Sequence, residues 1–213
     1  MLTTVDALLP LSLLEAVRNV DTPAGEYDSE YVAELKSKRL GLSDTVLTQI
    51  HRYTDAVKRR QRTAQDEAVA LAKLIGRRSD AEAVFRAAGQ HLAREAYQTI
   101  PQYSRELILV LPSLLARPLA LRRARRIVER YLNGSLGRHG SYLLLEVPIS
   151  VTLAASPRPT GCVFYESSLR ELLKLLIGTS AVVEHIRCTT RGEEKCAWRA
   201  EWRPVRPDET PNG

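Results

Sequence analysis

The sequence predicts an α+β fold in which N-terminal helices precede a small mixed or antiparallel sheet closed by a C-terminal β-hairpin. Three observations carry this. Apolar residues recur at helical spacing through much of the stretch from Ser43 to Leu132. At "NGSLGRHG" glycines break that pattern, and "SYLLLEVPISVTLAA" follows with the character of one or two strands. The segment "SAVVEHIRCTTRGEEKCAWRAEW" then reads as two strands turning about Gly192. Helices first and a β–α–β end afterwards is the order of an α+β domain.

Taken in order, the first forty residues are punctuated by Pro10, Pro23 and Gly25 and suggest short helices and loops. A firmer helix starts at Ser43, a good N-cap, and places Val46, Ile50, Tyr53 and Val57 on one face. "TAQDEAVALAKLIG" continues as helix with Gly76 as its stop. "SDAEAVFRAAGQHLAREAYQ" opens with a Ser79–Glu82 capping box and buries Val84, Ala88 and Leu92. The apolar stretch "RELILVLPSLLARP" is bounded by prolines. The arginine-rich helix after it turns Leu121, Ala124, Val128 and Tyr131 or Leu132 inward. Downstream, "ESSLRELLKLLIG" carries a Ser168–Glu171 capping box and ends before Gly178. This organisation gives an N-terminal helical region, residues 1–78, a domain over 79–203 and a disordered tail over 204–213. No internal repeat is evident.

Composition narrows the class. At 44% hydrophobic and 26% charged residues the chain has the make-up of an ordinary globular protein, and no run approaches the apolar length of a membrane span. The N-terminus lacks a basic leader and is interrupted by Asp6 and Pro10, so no signal peptide is expected. Three cysteines are a poor basis for a secreted disulfide framework, which makes the cytoplasm the expected location. The net charge of +6 is concentrated in "VKRRQR" and "ARPLALRRARRIVERYL". Arg122, Arg123, Arg125, Arg126 and Arg130 form a basic helix face that is either simply solvated or a surface for an acidic partner. No aromatic residues interleave these arginines for base stacking, which argues against nucleic acid.

The chemistry gathers at the end of the chain. With the turn centred on Gly192, Cys188 lies opposite Cys196, their Cβ atoms about 5 Å apart. Two thiolates sharing a tetrahedral zinc must lie roughly 3.8 Å apart, which modest side-chain rotation supplies. Alternation turns Cys196, Trp198, Ala200 and Trp202 to one face. Cys162 is the natural third ligand, with His185 or Glu184 as the fourth. In a regular strand His185 faces away from Cys188, about 10 Å along the strand, so a metal site requires an irregular backbone over residues 184–187. Spacing alone leaves three readings open: a metal site, three buried core cysteines, or a Cys188–Cys196 disulfide.

"HIRCTTRGEEKC", preceded by a cysteine, a helix and "LIGTSAVVE", resembles the tail of the vinyl-4-reductase domain. Cys188, Gly192, Glu193 and Cys196 match its pattern, Cys162 matches its upstream cysteine, and His185 stands where the family usually has an acidic ligand. The resemblance spans roughly Ser79 to Arg203 and is specific over the last forty residues. It implies a structural zinc on Cys162, His185, Cys188 and Cys196 that pins the C-terminal hairpin, a homodimer, and an internal pocket for a small apolar or aromatic molecule. Tyr142, Phe164, Trp198 and Trp202 are the candidate lining. No Walker-type loop, helix-turn-helix, dinucleotide motif or catalytic constellation is present in the sequence. The expectation is therefore a non-catalytic sensor or regulatory domain signalling through a dimer or partner. The alternative is a protein-interaction scaffold working through the arginine-rich helix.

Overall fold

A computed structural model describes residues 3–22, 41, 43–153, 159–178 and 181–201. The α+β class holds: the described chain is mostly helical and carries two antiparallel sheets. It divides into two compact units, Met1–Leu92 with Ser150–Tyr165, and Ala93–Ile149 with Glu166–Gly213.

The first unit contains strands β1 (Thr4–Asp6) and β2 (Arg62–Ala64), which pair antiparallel with Val5 opposite Thr63. This two-stranded sheet has no counterpart in the sequence reading, because three-residue strands are too short to show alternation. Helix α1 (Leu8–Asp21) is buried almost all round, as a helix apolar on every side must be. The Asp6 carboxylate accepts the Leu8 N–H at 3.1 Å and satisfies one of its free N-terminal donors. Helix α2 (Asp44–Lys58) starts as predicted: the Ser43 hydroxyl accepts the Val46 N–H, and Val46, Ile50 and Tyr53 are buried. Helix α3 (Gln65–Gly76) follows β2, and Arg78 in the turn after it clamps Asp21 with two bonds of 2.6 and 3.0 Å.

Helix α4 (Ala81–Gln98) begins one residue after Asp80, whose carboxylate is held by Arg78. The second unit adds α5 (Gln102–Val110), α6 (Ser113–Tyr131), strands β3 (Ser135–His139) and β4 (Tyr142–Val147), and, after α7 (Cys162–Ile177), β5 (Val183–Arg187) and β6 (Cys196–Glu201). The sheet order is β3-β4-β6-β5, antiparallel throughout. Period-two alternation puts Leu136, Leu143, Leu145, Val147, Trp198 and Ala200 on one face, all buried. Each large apolar side chain there contributes roughly 1.5–3 kcal/mol by leaving water.

Three boundaries differ from the sequence reading. "SLGRH" is a strand, β3, paired along its length with β4 despite Gly137. The arginine-rich helix starts at Ser113 and runs through Pro118. Helix α7 starts at Cys162, so Ser168 is a buried mid-helix residue and not a cap. The predicted disordered tail falls outside the described residues.

Candidate metal centre

The C-terminal hairpin supplies three of the four groups, and its backbone explains how. Strand β5 pairs with β6 through Val183–Ala200, Glu184–Arg199 and His185–Trp198, then shifts so that Arg187 faces Ala197. Ile186 is therefore an extra residue, a β-bulge in the interval that the metal reading required. The bulge reverses the facing of everything after it, so His185 and Cys188, three residues apart, come to the same side. Past the bulge the register carries Cys188 opposite Cys196. The turn is a short 3-10 segment, Thr189–Arg191, closed by Gly192 at φ +89°, a conformation glycine enters without steric cost. Cys162 opens helix α7.

Cys162, His185, Cys188 and Cys196 each offer one ligand atom, and these atoms all lie within 4.8 Å of one another. The three thiols are buried and unbridged, which removes the disulfide reading for this structure. The His185 ring stacks on Trp198 with centroids 4.8 Å apart and planes 15° from parallel. Its Nε2 is buried and makes no hydrogen bond among the described residues. The Arg187 backbone nearby favours the charged imidazole, but not enough to offset burial. A buried imidazole nitrogen left without a hydrogen-bond partner is free to take a metal ion. Burial first, and then the Arg191 guanidinium, hold the imidazole below its ordinary value, so it is neutral at pH 7 and carries a free lone pair. Glu184, the alternative fourth ligand, is exposed and bonds Arg199 at 2.7 Å, so His185 is the group brought to the cysteines.

Neighbouring groups shape the sulfurs. The Thr189 N–H points at Cys196 Sγ at 3.4 Å, and the Thr190 hydroxyl lies 2.9 Å from Cys188 Sγ. The Glu193 carboxylate accepts the Cys188 N–H and ties the two ends of the turn. Sequence reasoning did not give Thr189 and Thr190 a role, although "TTRGE" between two cysteines was the available signal. Burial pushes the Cys196 thiol up, with the bonds from Thr189 working the other way. Three soft sulfurs and one imidazole around a common point form a donor set that could hold a metal ion, which the tightness of the cluster and the bare Nε2 both fit.

The remaining predicted residues are scattered. Phe164 and Trp198 are fully buried and serve as core. Tyr142 is half-buried and lines a surface cleft of about 320 Å³ with Arg117, Leu121 and Arg138. Trp202 lies outside the described residues. On α6, Arg122, Arg125, Arg126 and Arg130 are exposed, whereas Arg123 is partly buried and donates to the Ser104 hydroxyl at 2.9 Å. No helix among the described residues is long and apolar enough to cross a membrane.

No family model matches the chain, and no curated protein and no solved structure shows significant similarity to it.

Proposed function

We propose that Cys162, His185, Cys188 and Cys196 hold one zinc ion as a structural site, and that the chain is a zinc-stabilised regulatory domain that binds a small apolar or aromatic molecule. The observation that carries the metal reading is the β-bulge at Ile186, a local irregularity whose effect is to turn His185 toward the cysteines. Three thiolates and an imidazole suit zinc, and four protein ligands would leave no open position for water, so such a site holds structure together and does not activate a nucleophile. The regulatory reading rests on the resemblance of residues 185–196 to the vinyl-4-reductase tail, and its output would pass through a dimer or a partner.

Elemental analysis of the purified protein, with Cys188→Ser alongside, tests the site. One zinc per chain, lost in the variant together with thermal stability, supports it. A metal-free protein with its fold intact removes it and leaves the cysteines as packing. The ligand half is tested separately by titrating an environment-sensitive apolar dye and following Trp fluorescence. Absence of saturable binding would sink that half while leaving the zinc untouched.

A second reading has its own observation. Arg122, Arg125 and Arg126 are exposed and form no ion pair among the described residues, which favours a surface reserved for an anionic partner.

A further inference from the structure

Apart from Val182, the most exposed large apolar side chains of the described residues lie where α5 passes into α6. Leu109 is 70% exposed, Val110 84%, Leu114 85% and Leu115 61%, with Tyr103 and Leu107 on the same helix as the first two. Scattered exposed leucines are ordinary, but four within seven residues of sequence call for a cause. They are branched aliphatic chains standing clear of the surface, and they line none of the clefts described above. A shaped protein partner usually offers pockets to aromatic or arginine anchors. Fluid hydrocarbon needs no matching pocket.

From Leu114 and Leu115 the exposed side of α6 continues as charge. At helical spacing from Leu115 the exposed stripe of α6 runs through Pro118, Arg122 and Arg126, while Ala116, Ala120, Ala124, Ile127 and Val128 face inward. The helix holds six arginines against one glutamate. Arg117, Arg122, Arg125 and Arg126 have no ion pair among the described residues, and Arg125 is turned outward while its Nε donates to the Leu136 carbonyl at 2.9 Å. Beside this stripe lies the 320 Å³ cleft, into which Arg117, Arg138 and Ser141 face with no carboxylate in its lining. An apolar wedge at the α5–α6 junction, a row of unneutralised arginines along α6 and an acid-free basic cleft beside them make up the pattern of an interfacial membrane contact.

We propose that the α5–α6 corner docks the protein on an anionic phospholipid surface, with Leu109, Val110, Leu114 and Leu115 entering the acyl boundary and Arg117, Arg122 and Arg126 meeting the headgroup phosphates. The contact is peripheral and uses residues separate from the metal cluster, so it stands or falls independently of the zinc reading.

Vesicle co-sedimentation of the full chain tests it, using phosphatidylcholine alone and phosphatidylcholine mixed with phosphatidylglycerol. Binding to the mixed vesicles only, weakened by added salt, is expected. Leu109→Gln with Leu114→Gln, and separately Arg122→Glu with Arg126→Glu, each lower the partition coefficient by about tenfold or more. All four positions are on the surface, so circular dichroism and the thermal midpoint stay unchanged and loss of fold is not confused with loss of binding. No sedimentation with anionic vesicles, or sedimentation that both variants leave intact, overturns the proposal. So does a dimer in light scattering that the leucine variant converts to monomer while vesicles bind neither form, because the corner is then an interface between copies.

Discussion

At the scale of single residues, the metal reading demands a deprotonated ligand atom from both Cys196 and His185, and the structure prepares each differently. Burial holds the Cys196 thiol above its ordinary range, so in the metal-free fold it is protonated at pH 7, while only the thiolate is a ligand. Metal uptake must therefore expel that proton, and affinity rises with pH, about tenfold per unit for each proton displaced. His185 is shifted the other way and is already neutral, so it contributes no proton. Calorimetry of zinc binding in buffers of differing ionisation heat counts the protons. Cys196→Ser should lower the count by one, and His185→Ala should leave it unchanged while weakening affinity. An unchanged count in the cysteine variant would mean the thiol is not a ligand. Glu193 makes a second, purely positional demand. Glu193→Ala strands the buried Cys188 N–H and should cost about 1–2 kcal/mol in chemical denaturation, with metal affinity down by about tenfold. Glu193→Gln keeps an acceptor and should recover most of the stability.

At the scale of elements, one bulge brings His185 and Cys188, three residues apart, to the same sheet face. Deleting Ile186 removes the bulge but leaves His185 and Cys188 two residues apart in a regular strand, and so still on one sheet face. The expected result is a folded protein with native-like circular dichroism that still retains stoichiometric metal, because the shared facing survives. Loss of metal with the fold intact would show that the bulged geometry itself is needed, and not only the shared facing. The bulge could be anticipated because ligand geometry demanded it, and the hairpin register could be anticipated because Gly192 alone accepts a positive φ there. Other elements hid for identifiable reasons. Residues 162–165, Cys-Val-Phe-Tyr, have modest helix propensity, so the Ser168–Glu171 capping box looked like the start of α7. Burial of Phe164 and Tyr165 overrides propensity there. Pro118 resembled a boundary, yet it and Leu114 are both on the exposed side of α6, where a carbonyl freed by proline can be hydrated. Strand β3 carries Gly137 and three polar positions, too little alternation to register without its partner.

At the scale of the whole molecule, the net charge of +6 conceals two populations of arginine that sequence cannot separate. Some are structural. Arg78 reaches across 57 residues of sequence to the buried Asp21, which also accepts the Gly41 N–H at 2.8 Å, and it bonds Asp80 as well. Asp80 and then Asp21 raise its pKa further, so it is charged at every accessible pH. Others, such as Arg126, touch no acid among the described residues. Removing a guanidinium from the first kind leaves a carboxylate in a low-dielectric site without its counter-charge, whereas removing one of the second kind exposes only water to water. Arg78→Ala should therefore lower the unfolding free energy by about 2–4 kcal/mol, and Arg78→Lys, with one point of contact in place of a two-pronged fork, by an intermediate amount. Arg126→Ala should remain within about 0.5 kcal/mol of the parent. Urea titrations of the three variants decide the matter. Equal losses from Arg78 and Arg126 would mean that the Asp21 clamp does not hold α1 to the turn before α4, and that the basic face of α6 is part of the stabilising structure after all.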